Sequence, residues 1–423
     1  MRFQRFLTGL SLGLILAITL ACSQQVLMSG RDSILPSETA AIAPDAVREG
    51  AAPTVENPAP ALPPETQALV ASAGPEGLYA PPRKDIRLVV ISDLNSSYGS
   101  TDYDPEVDKA MALLPFWRPD LVVCSGDMVA GQDLTLTPDR IRAMWQAFDD
   151  HVAAPLRQQK LPYGFTLGNH DASSALGVNN QFLFKQERDL ASAYWLTPEH
   201  DPGVKFIDRT DFPFYYTFEY NGLFFMAWDG SSSHIPDDKL AWIETTLASE
   251  AAQQAKARIV LSHLPLYSVA VGRNEPGEVL DNAQKLQEIL ERHRVHTLIS
   301  GHHHSYYPAH RGKLQLLHMG ILGSGARPLI DNALPPWKAL TVVDIDFNDP
   351  ALTTYTTYDM QTLRTIEYEQ LPRFLAGHNG MLLRRDVRYE DLKPEEKAFC
   401  QERLGKSLCT GHLQFPQPQT YAA

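Results

Sequence analysis

Ser300-Gly301-His302-His303-His304 decides how this chain is read. Three adjacent imidazoles directly behind a strand-like run, His296–Ile299, are loop chemistry rather than a packing pattern. Four other polar clusters stand in the same relation to an apolar run: Asp93-Leu94-Asn95 after Ile86–Ser92, Gly126-Asp127 after Asp120–Ser125, Gly168-Asn169-His170-Asp171 after Tyr163–Leu167, and Ser262-His263 after Arg258–Leu261. In open α/β sheets, ligands bind beyond the carboxyl ends of strands. Strands ending on one edge would therefore collect these carboxylates, imidazoles and amides at one point. The glycines before Asp127, Asn169 and His302 predict sharp turns there. Such a mixed donor set suits Mn²⁺, Fe or Zn²⁺ better than a thiolate-bound metal. Two such ions about 3.5–4 Å apart can clamp a phosphoryl group and generate hydroxide near neutral pH.

Between the clusters the chain alternates strand and helix signals. Pro105–Phe116 and Pro138–Gln158 read as helices; in the second, Ile141, Met144, Trp145, Phe148 and Val152 recur at helical spacing and Pro138 suits the first turn. Gln181–Trp195, Asp238–Gln253 and Ala283–His293 are further helices. Phe214–Tyr220 and Leu223–Trp228 flank Asn221-Gly222, a strong hairpin signal. Leu314–His318, Leu340–Ile345 and Leu352–Thr357 complete a strand-rich end. The pattern predicts α/β layers with helices outside.

In this order, the five clusters resemble the calcineurin-like metallophosphoesterase superfamily. Its pattern is Asp-x-His, Gly-Asp, Gly-Asn-His-Asp/Glu, a later His, then Gly-His-x-His, and the resemblance runs from Ile86 to His318. It implies two stacked mixed β-sheets flanked by helices, a four-layer sandwich, and hydrolysis of phosphate esters by a metal-bridging hydroxide. Carried over residue by residue, it implies that Asp127 bridges two divalent ions. Asp93 and His304 hold the first, and Asn169, His263 and His302 the second. His170 faces the substrate and protonates the leaving oxygen, with Asp171 fixing its orientation.

Asn95 departs from the family pattern, which has a histidine there. With an amide oxygen, or a water in its place, the first metal is expected to bind more weakly or to shift toward harder ions such as Mn²⁺ or Mg²⁺. Purple acid phosphatases, a subgroup, carry a Tyr three positions after the Gly-Asp carboxylate; Ala130 stands there here. Two alternatives accompany the phosphoesterase reading. One is a catalytically degenerate binding protein whose first metal site is lost, and the other is a phosphodiesterase or nuclease on the same site.

The rest of the sequence bounds partners and place. A net charge of −13 gives no basic footprint for a nucleic-acid backbone, so the expected partner is a small-molecule phosphate ester. Arg2 and Arg5, then an apolar run to Ala21, then Cys22, describe a signal peptide over 1–21 whose following cysteine resembles a bacterial lipobox. That predicts an exported, periplasmic or cell-envelope protein touching the membrane only through lipid on Cys22. Residues 22–84, rich in Ala and Pro, predict a disordered tether, 85–357 the catalytic domain, and 358–423 a C-terminal extension that either wraps the body or stands apart. Cys400 and Cys409 either pair in an oxidising compartment or remain two separate thiols. Tyr98, Arg273, His303 and Arg327, in or near the ligand loops, are candidates for substrate contact.

Overall fold

The computed structural model describes residues 61–410, apart from 333, 350 and 351. The expected signal peptide, Cys22 and most of the expected tether lie outside the described residues.

Strands follow in the order β1 (Ile86–Ile91), β2 (Leu121–Cys124), β3 (Tyr163–Phe165), β4 (Lys205–Asp211), β5 (Tyr215–Tyr220), β6 (Leu223–Ala227), β7 (Ala257–Leu261), β8 (Thr297–Ser300), β9 (Tyr307–Arg311), β10 (Leu314–His318), β11 (Ala339–Ile345), β12 (Thr354–Asp359), β13 (Arg364–Thr365), β14 (Phe374–Gly377) and β15 (Gly380–Arg384). They form two mixed sheets, ordered β13-β12-β11-β1-β2-β3 and β14-β15-β9-β10-β8-β7-β6-β5-β4. The fold is α/β, two mixed sheets flanked by helices, as the resemblance implies.

Each sheet has a parallel centre. In the first, β1, β2 and β3 run parallel, with Val89 beside Val122 and Val122 beside Tyr163. In the second, β6, β7, β8 and β10 run parallel. Every residue of β1, β2 and β7 is buried, which is why these strands read as apolar runs broken only by Arg87 and Arg258. Each large side chain removed from water in this way contributes roughly 1.5–3 kcal/mol.

The helix expected over Pro138–Gln158 is one rod of three parts: α-helix Pro138–Phe148, a wider π-turn over Asp149–Ala153, and α-helix Ala154–Gln158. Pro155 has no N–H to donate and its ring crowds the preceding turn, and the wider turn absorbs both. Ile141, Met144, Trp145, Phe148 and Val152 are all buried, as their spacing predicts. The helix expected over Asp238–Gln253 breaks into Asp237–Leu247 and Glu250–Gln254, because Ser249 Oγ accepts from Ala252 N and starts a new helix. The helix expected from Gln181 begins only at Lys185.

Two domain boundaries move. The end of the expected tether is folded onto the body: Pro64–Ser72 is a helix whose Thr66 hydroxyl donates to Ala112 O at 2.7 Å. Leu78 is buried, and the Arg87 guanidinium donates to Pro81 O at 2.7 Å. One apolar anchor and a few hydrogen bonds to the body suffice to order a stretch whose composition alone does not. At the other end, the C-terminal extension wraps the body. β15 pairs with β9 and brings β14 onto the edge of the second sheet, and the helical segment Pro394–Thr410, broken at Gly405, covers that hairpin with Cys400 and Cys409 joined as a disulfide. No helix among the described residues is long and apolar enough to cross a membrane.

Candidate metal centre

The loops after β1, β2 and β3 in one sheet, and after β7 and β8 in the other, meet at the carboxyl ends of the parallel strands. Backbone bonds tie them together. Ser125 N donates to Ile91 O at 3.2 Å, Asp93 N to Gly126 O at 2.9 Å and Leu94 N to Asp127 O at 2.8 Å. Between the sheets, His302 N donates to the Asp93 carboxylate at 3.1 and 3.2 Å, and the His263 ring meets Ser125 O at 2.8 Å. Asp93, Asp127, His302 and His304 all hold left-handed φ angles of 50°, 56°, 65° and 54°. Non-glycine residues seldom do so, and such strain collects at functional sites.

The glycines expected at turns do two different jobs. Gly126 has φ 100°, which only glycine adopts without cost. Gly168 and Gly301 instead leave room: a Cβ on Gly168 would overlap Asp127 Oδ1, and one on Gly301 would overlap Ser92 Oγ and crowd Asp93 Oδ2.

Asp93, Asp127 and His304 present ligand atoms within 4.8 Å of one another, all buried. His304 Nε2 lies 3.2 Å from Asp93 Oδ1, while its Nδ1 is 3.0 Å from Gly325 O. A carbonyl can only accept, so Nδ1 carries the proton and Nε2 faces the carboxylates. On the other side, Asn169 Oδ1 is met by His263 Nε2 at 2.8 Å and by His302 Nδ1 at 2.9 Å. Asn169 Nδ2 donates to Gln132 Oε1 at 2.7 Å, which turns the amide oxygen toward the histidines. His263 Nε2 is also 3.3 Å from Asp127 Oδ2. The structure thus brings six of the sequence-predicted ligands to one buried place, and the seventh, Asn95, is buried beside them with its N donating to Asp127 O at 3.2 Å.

Whether these residues suit metal ions can be tested on the oxygens themselves. Asp127 Oδ2 and Asn95 Oδ1 are buried and make no hydrogen bond. Leaving such atoms unsatisfied costs about 1–3 kcal/mol each, more for a charged group. Around them stand the Asp93 carboxylate, the Asn169 oxygen and three imidazole nitrogens, so the cavity is electron-rich and short of positive charge. Titration behaviour tells the same story. Burial pushes the Asp127 carboxyl up, but His263 and His170 pull it well below the usual range. Burial likewise raises Asp93, and the His304 ring outweighs it and lowers the carboxyl. Burial would lower His263, yet the charges of Asp127 and Asp93 lift it to about 9. A proton on Nε2 supplies part of the missing charge, and divalent cations would supply all of it. The residues fit the metals.

His170 reaches the site as expected, but its partners differ. Its Nδ1 lies 2.8 Å from Gly131 O, so Nδ1 carries the proton and this carbonyl, not Asp171, sets the ring's orientation. The Asp171 carboxylate is taken by four backbone N–H groups, those of Asp127, Met128, Val129 and Gly168, at 2.7–2.9 Å. It clasps the Asp127 loop to the Asn169 loop. Burial and the Asp127 charge push its carboxyl up to about 7 against the pull of those N–H groups.

Tyr98 stands over the site, its ring 5.1 Å from that of His170 and 62% exposed. His303 does not face substrate. It is fully buried, with Nε2 on Glu278 O at 2.9 Å and Nδ1 accepting from Val269 N at 3.2 Å. Alternate imidazoles in this loop point opposite ways, and the middle one pins the 269 and 278 backbones. Arg273 and Arg327 are both brought to the rim. Arg273 lies 3.4 Å from His302 Nε2 and pairs with Glu278. Arg327 N donates to His304 O at 3.1 Å, and its guanidinium makes no ion pair among the described residues.

Glu278, Gln132 and Glu187 are absent from the sequence reading. Glu278 Oε2 is 2.9 Å from His302 Nε2, so this nitrogen donates and Nδ1 is left with its lone pair toward Asn169. Glu187 accepts from Gln132 N at 2.8 Å and Asp133 N at 3.2 Å, holding the loop that supplies Gly131 O and Gln132 Oε1.

The calcineurin-like phosphoesterase model matches residues 86–306, the span that carries every one of these ligands. The chain belongs to the calcineurin-like phosphoesterase family. Solved structures similar to this member include a purple acid phosphatase from yellow lupin (Lupinus luteus) seeds, 15% identical, with TM-score 0.49, covering 69% of this chain and 54% of that one. GAP50 of Plasmodium, described as the anchor in the inner membrane complex, is 13% identical with TM-score 0.42, covering 79% and 98%. A dimetal phosphatase from Danio rerio is 15% identical with TM-score 0.38, covering 62% and 93%. This chain therefore spans about half of the lupin enzyme's length, and likeness at this level says nothing of substrate. No curated protein matches the sequence.

Proposed function

We propose that the protein is a metal-dependent phosphoesterase that hydrolyses small-molecule phosphate esters, exported and held at the cell envelope by lipid on Cys22. The observation that carries the catalytic part is the unsatisfied Asp127 Oδ2, buried among carboxylates and imidazoles from both sheets. Asp93, Asn95 and His304 would hold one divalent ion, Asn169, His263 and His302 a second, with Asp127 between them. Bound ions would draw charge from the non-bridging phosphoryl oxygens and acidify a water to attack phosphorus.

The remaining steps fall to the chain itself. His170, fixed through Nδ1 on Gly131 O, turns Nε2 toward the substrate, where it donates a proton to the leaving oxygen. Tyr98 closes over that ring and limits water around the transferred proton. The Arg327 guanidinium is free to meet a phosphoryl oxygen, while Arg273 is paired with Glu278 beside His302. Seating the ester among groups already fixed by backbone bonds spares it the entropy of assembling them. A net charge of −13 argues against a nucleic-acid substrate.

The test is metal analysis and hydrolysis of mono- and diester substrates with added Mn²⁺, for wild type and Asp127→Asn. About two ions per chain and turnover that Asp127→Asn abolishes support the reading. One ion or none, with no hydrolysis under any divalent ion, would assign the protein to a degenerate, binding-only role.

A further inference from the structure

Directly beyond the catalytic loop, the chain builds a cleft that none of the ligand chemistry uses. We infer that this cleft receives the alcohol portion of the substrate, and that this portion is apolar and ring-bearing. The inference rests on the phosphoesterase reading and names the substrate class within it.

The cleft has a volume of about 860 Å³ and is walled by Leu176, Phe182, Phe212, Phe214 and Tyr215. Residues 174–184 leave the metal cluster immediately after Asp171 and fold back on themselves. Leu176 bridges Phe182 across the bend, and Gly177 N donates to Gln181 O at 2.8 Å. This small hairpin holds Leu176 and Phe182 at the mouth with 50% and 43% of their surface exposed. Two large apolar side chains left open beside a catalytic loop mark a place where a ligand completes the burial.

The floor is charged but neutral overall. Arg188 pairs with Asp229 at 2.8 Å, and its guanidinium lies between the Phe182 and Phe214 rings, 4.1 and 4.0 Å from their centres. With Arg188 matched by Asp229, and Lys239, also in the lining, matched by Asp211, neither cation offers a site for a second anionic group. The cleft therefore favours flat, uncharged surface over another phosphate.

Backbone bonds link the cleft to the ligand-bearing loops. Arg188 Nη1 donates to Ala172 O at 2.6 Å, and Ala172 follows Asp171. Asp229 lies two residues past the end of β6, whose neighbour β7 leads into His263. A Cβ on the next residue, Gly230, would stand 2.5 Å from Ser262 Oγ and 3.4 Å from His263 N. The floor thus sits within one residue of two ligand-bearing segments, on the same strand-end edge.

The experiment compares kcat/KM for 1-naphthyl phosphate and ethyl phosphate, in wild type, Phe182→Ala and Leu176→Ser, with Mn²⁺. We expect wild type to favour the naphthyl ester by at least about tenfold beyond the intrinsic reactivity ratio measured without enzyme, the scale on which an apolar pocket discriminates. Each variant should lose most of that preference through KM while ethyl phosphate turnover is unchanged. Leu176→Ser leaves the Arg188 stack intact, so it guards against an effect of Phe182 on local folding. Equal loss on both substrates, or a preference that both variants retain, would overturn the cleft assignment. If no ester is hydrolysed at all, the phosphoesterase reading fails. The cleft is then judged by fluorescence titration with 1-naphthol: weaker binding in both variants sustains it, and unchanged binding overturns it.

Discussion

Removing the Glu278 side chain should loosen one metal ion and leave the other alone. In Glu278→Ala the backbone carbonyl stays, so the His303 bond at 2.9 Å and the loop it pins survive. What goes is the acceptor on His302 Nε2 at 2.9 Å, together with the partner of Arg273. A hydrogen bond to a charged group is worth about 1.5–3 kcal/mol, and its share in fixing one imidazole tautomer is lost when the ring is free to protonate Nδ1. Partners of this kind typically account for 10–100-fold in metal affinity, or about 1.4–2.7 kcal/mol, so both estimates agree. The assay is competition of Mn²⁺ or Zn²⁺ against a chelating dye on metal-stripped protein, with circular dichroism as a check on folding. One of two affinities should fall by about 10–100-fold, and Glu278→Gln should recover part of the loss, because an amide oxygen still accepts from Nε2. Two unchanged affinities would refute the role of Glu278 and with it the use of His302 Nδ1 as a ligand. Equal loosening of both ions would mean that Glu278 props the whole loop.

His170→Ala should lower kcat on alkyl phosphates by about 10²–10⁴-fold with metal content unchanged; on aryl phosphates, whose leaving groups need less protonation, the loss should be smaller. Asn95→His should raise metal occupancy at limiting Mn²⁺ or Zn²⁺, because an imidazole replaces a buried amide oxygen that makes no hydrogen bond. Burial pushes the Glu187 carboxyl from its ordinary 4.5 up to about 7, so the fold favours the protonated form. That contribution to stability is fully present below pH 4.5 and is lost as pH rises through 7. In chelator, Glu187→Gln should therefore lose less thermal stability across this window than wild type.

The central strands were legible because burial on both faces erases polar alternation: β2 is apolar throughout, and β1 and β7 are apolar but for Arg87 and Arg258. Asn221-Gly222 was legible for a different reason, since the turn needs positive φ at both positions and has 47° and 86°. β4 gave no such signal. Lys205–Asp211 is an edge strand with mostly exposed side chains, and nothing in Lys-Phe-Ile-Asp-Arg-Thr-Asp requires one buried face. β14 and β15 are short strands around His378-Asn379, and their only local cue was Asn379-Gly380. Helix Pro64–Ser72 was hidden by its composition, because what orders it is a carbonyl on Ala112 far along the chain.

For the site, side-chain type carried the reading and conformation did not. Carboxylates and imidazoles behind strands declare themselves, whereas Glu278, in Glu275-Pro276-Gly277-Glu278, looks like any solvated turn residue until His302 Nε2 is found against it. Nor does a sequence show that Asp93, Asp127, His302 and His304 occupy a backbone region that non-glycine residues avoid. Each such residue costs of order 1–3 kcal/mol, so something must hold it there. In every case the restraint comes from another loop. Asp93 N binds Gly126 O, Asp127 N binds the Asp171 carboxylate, His302 N binds the Asp93 carboxylate, and His304 O accepts from Arg327 N. Three of the four strained ligands are therefore held by other ligand loops, and His304 by the loop that carries Arg327. Removing the restraint at Asp171, which touches no substrate, should release the metal ligands as surely as removing one of them.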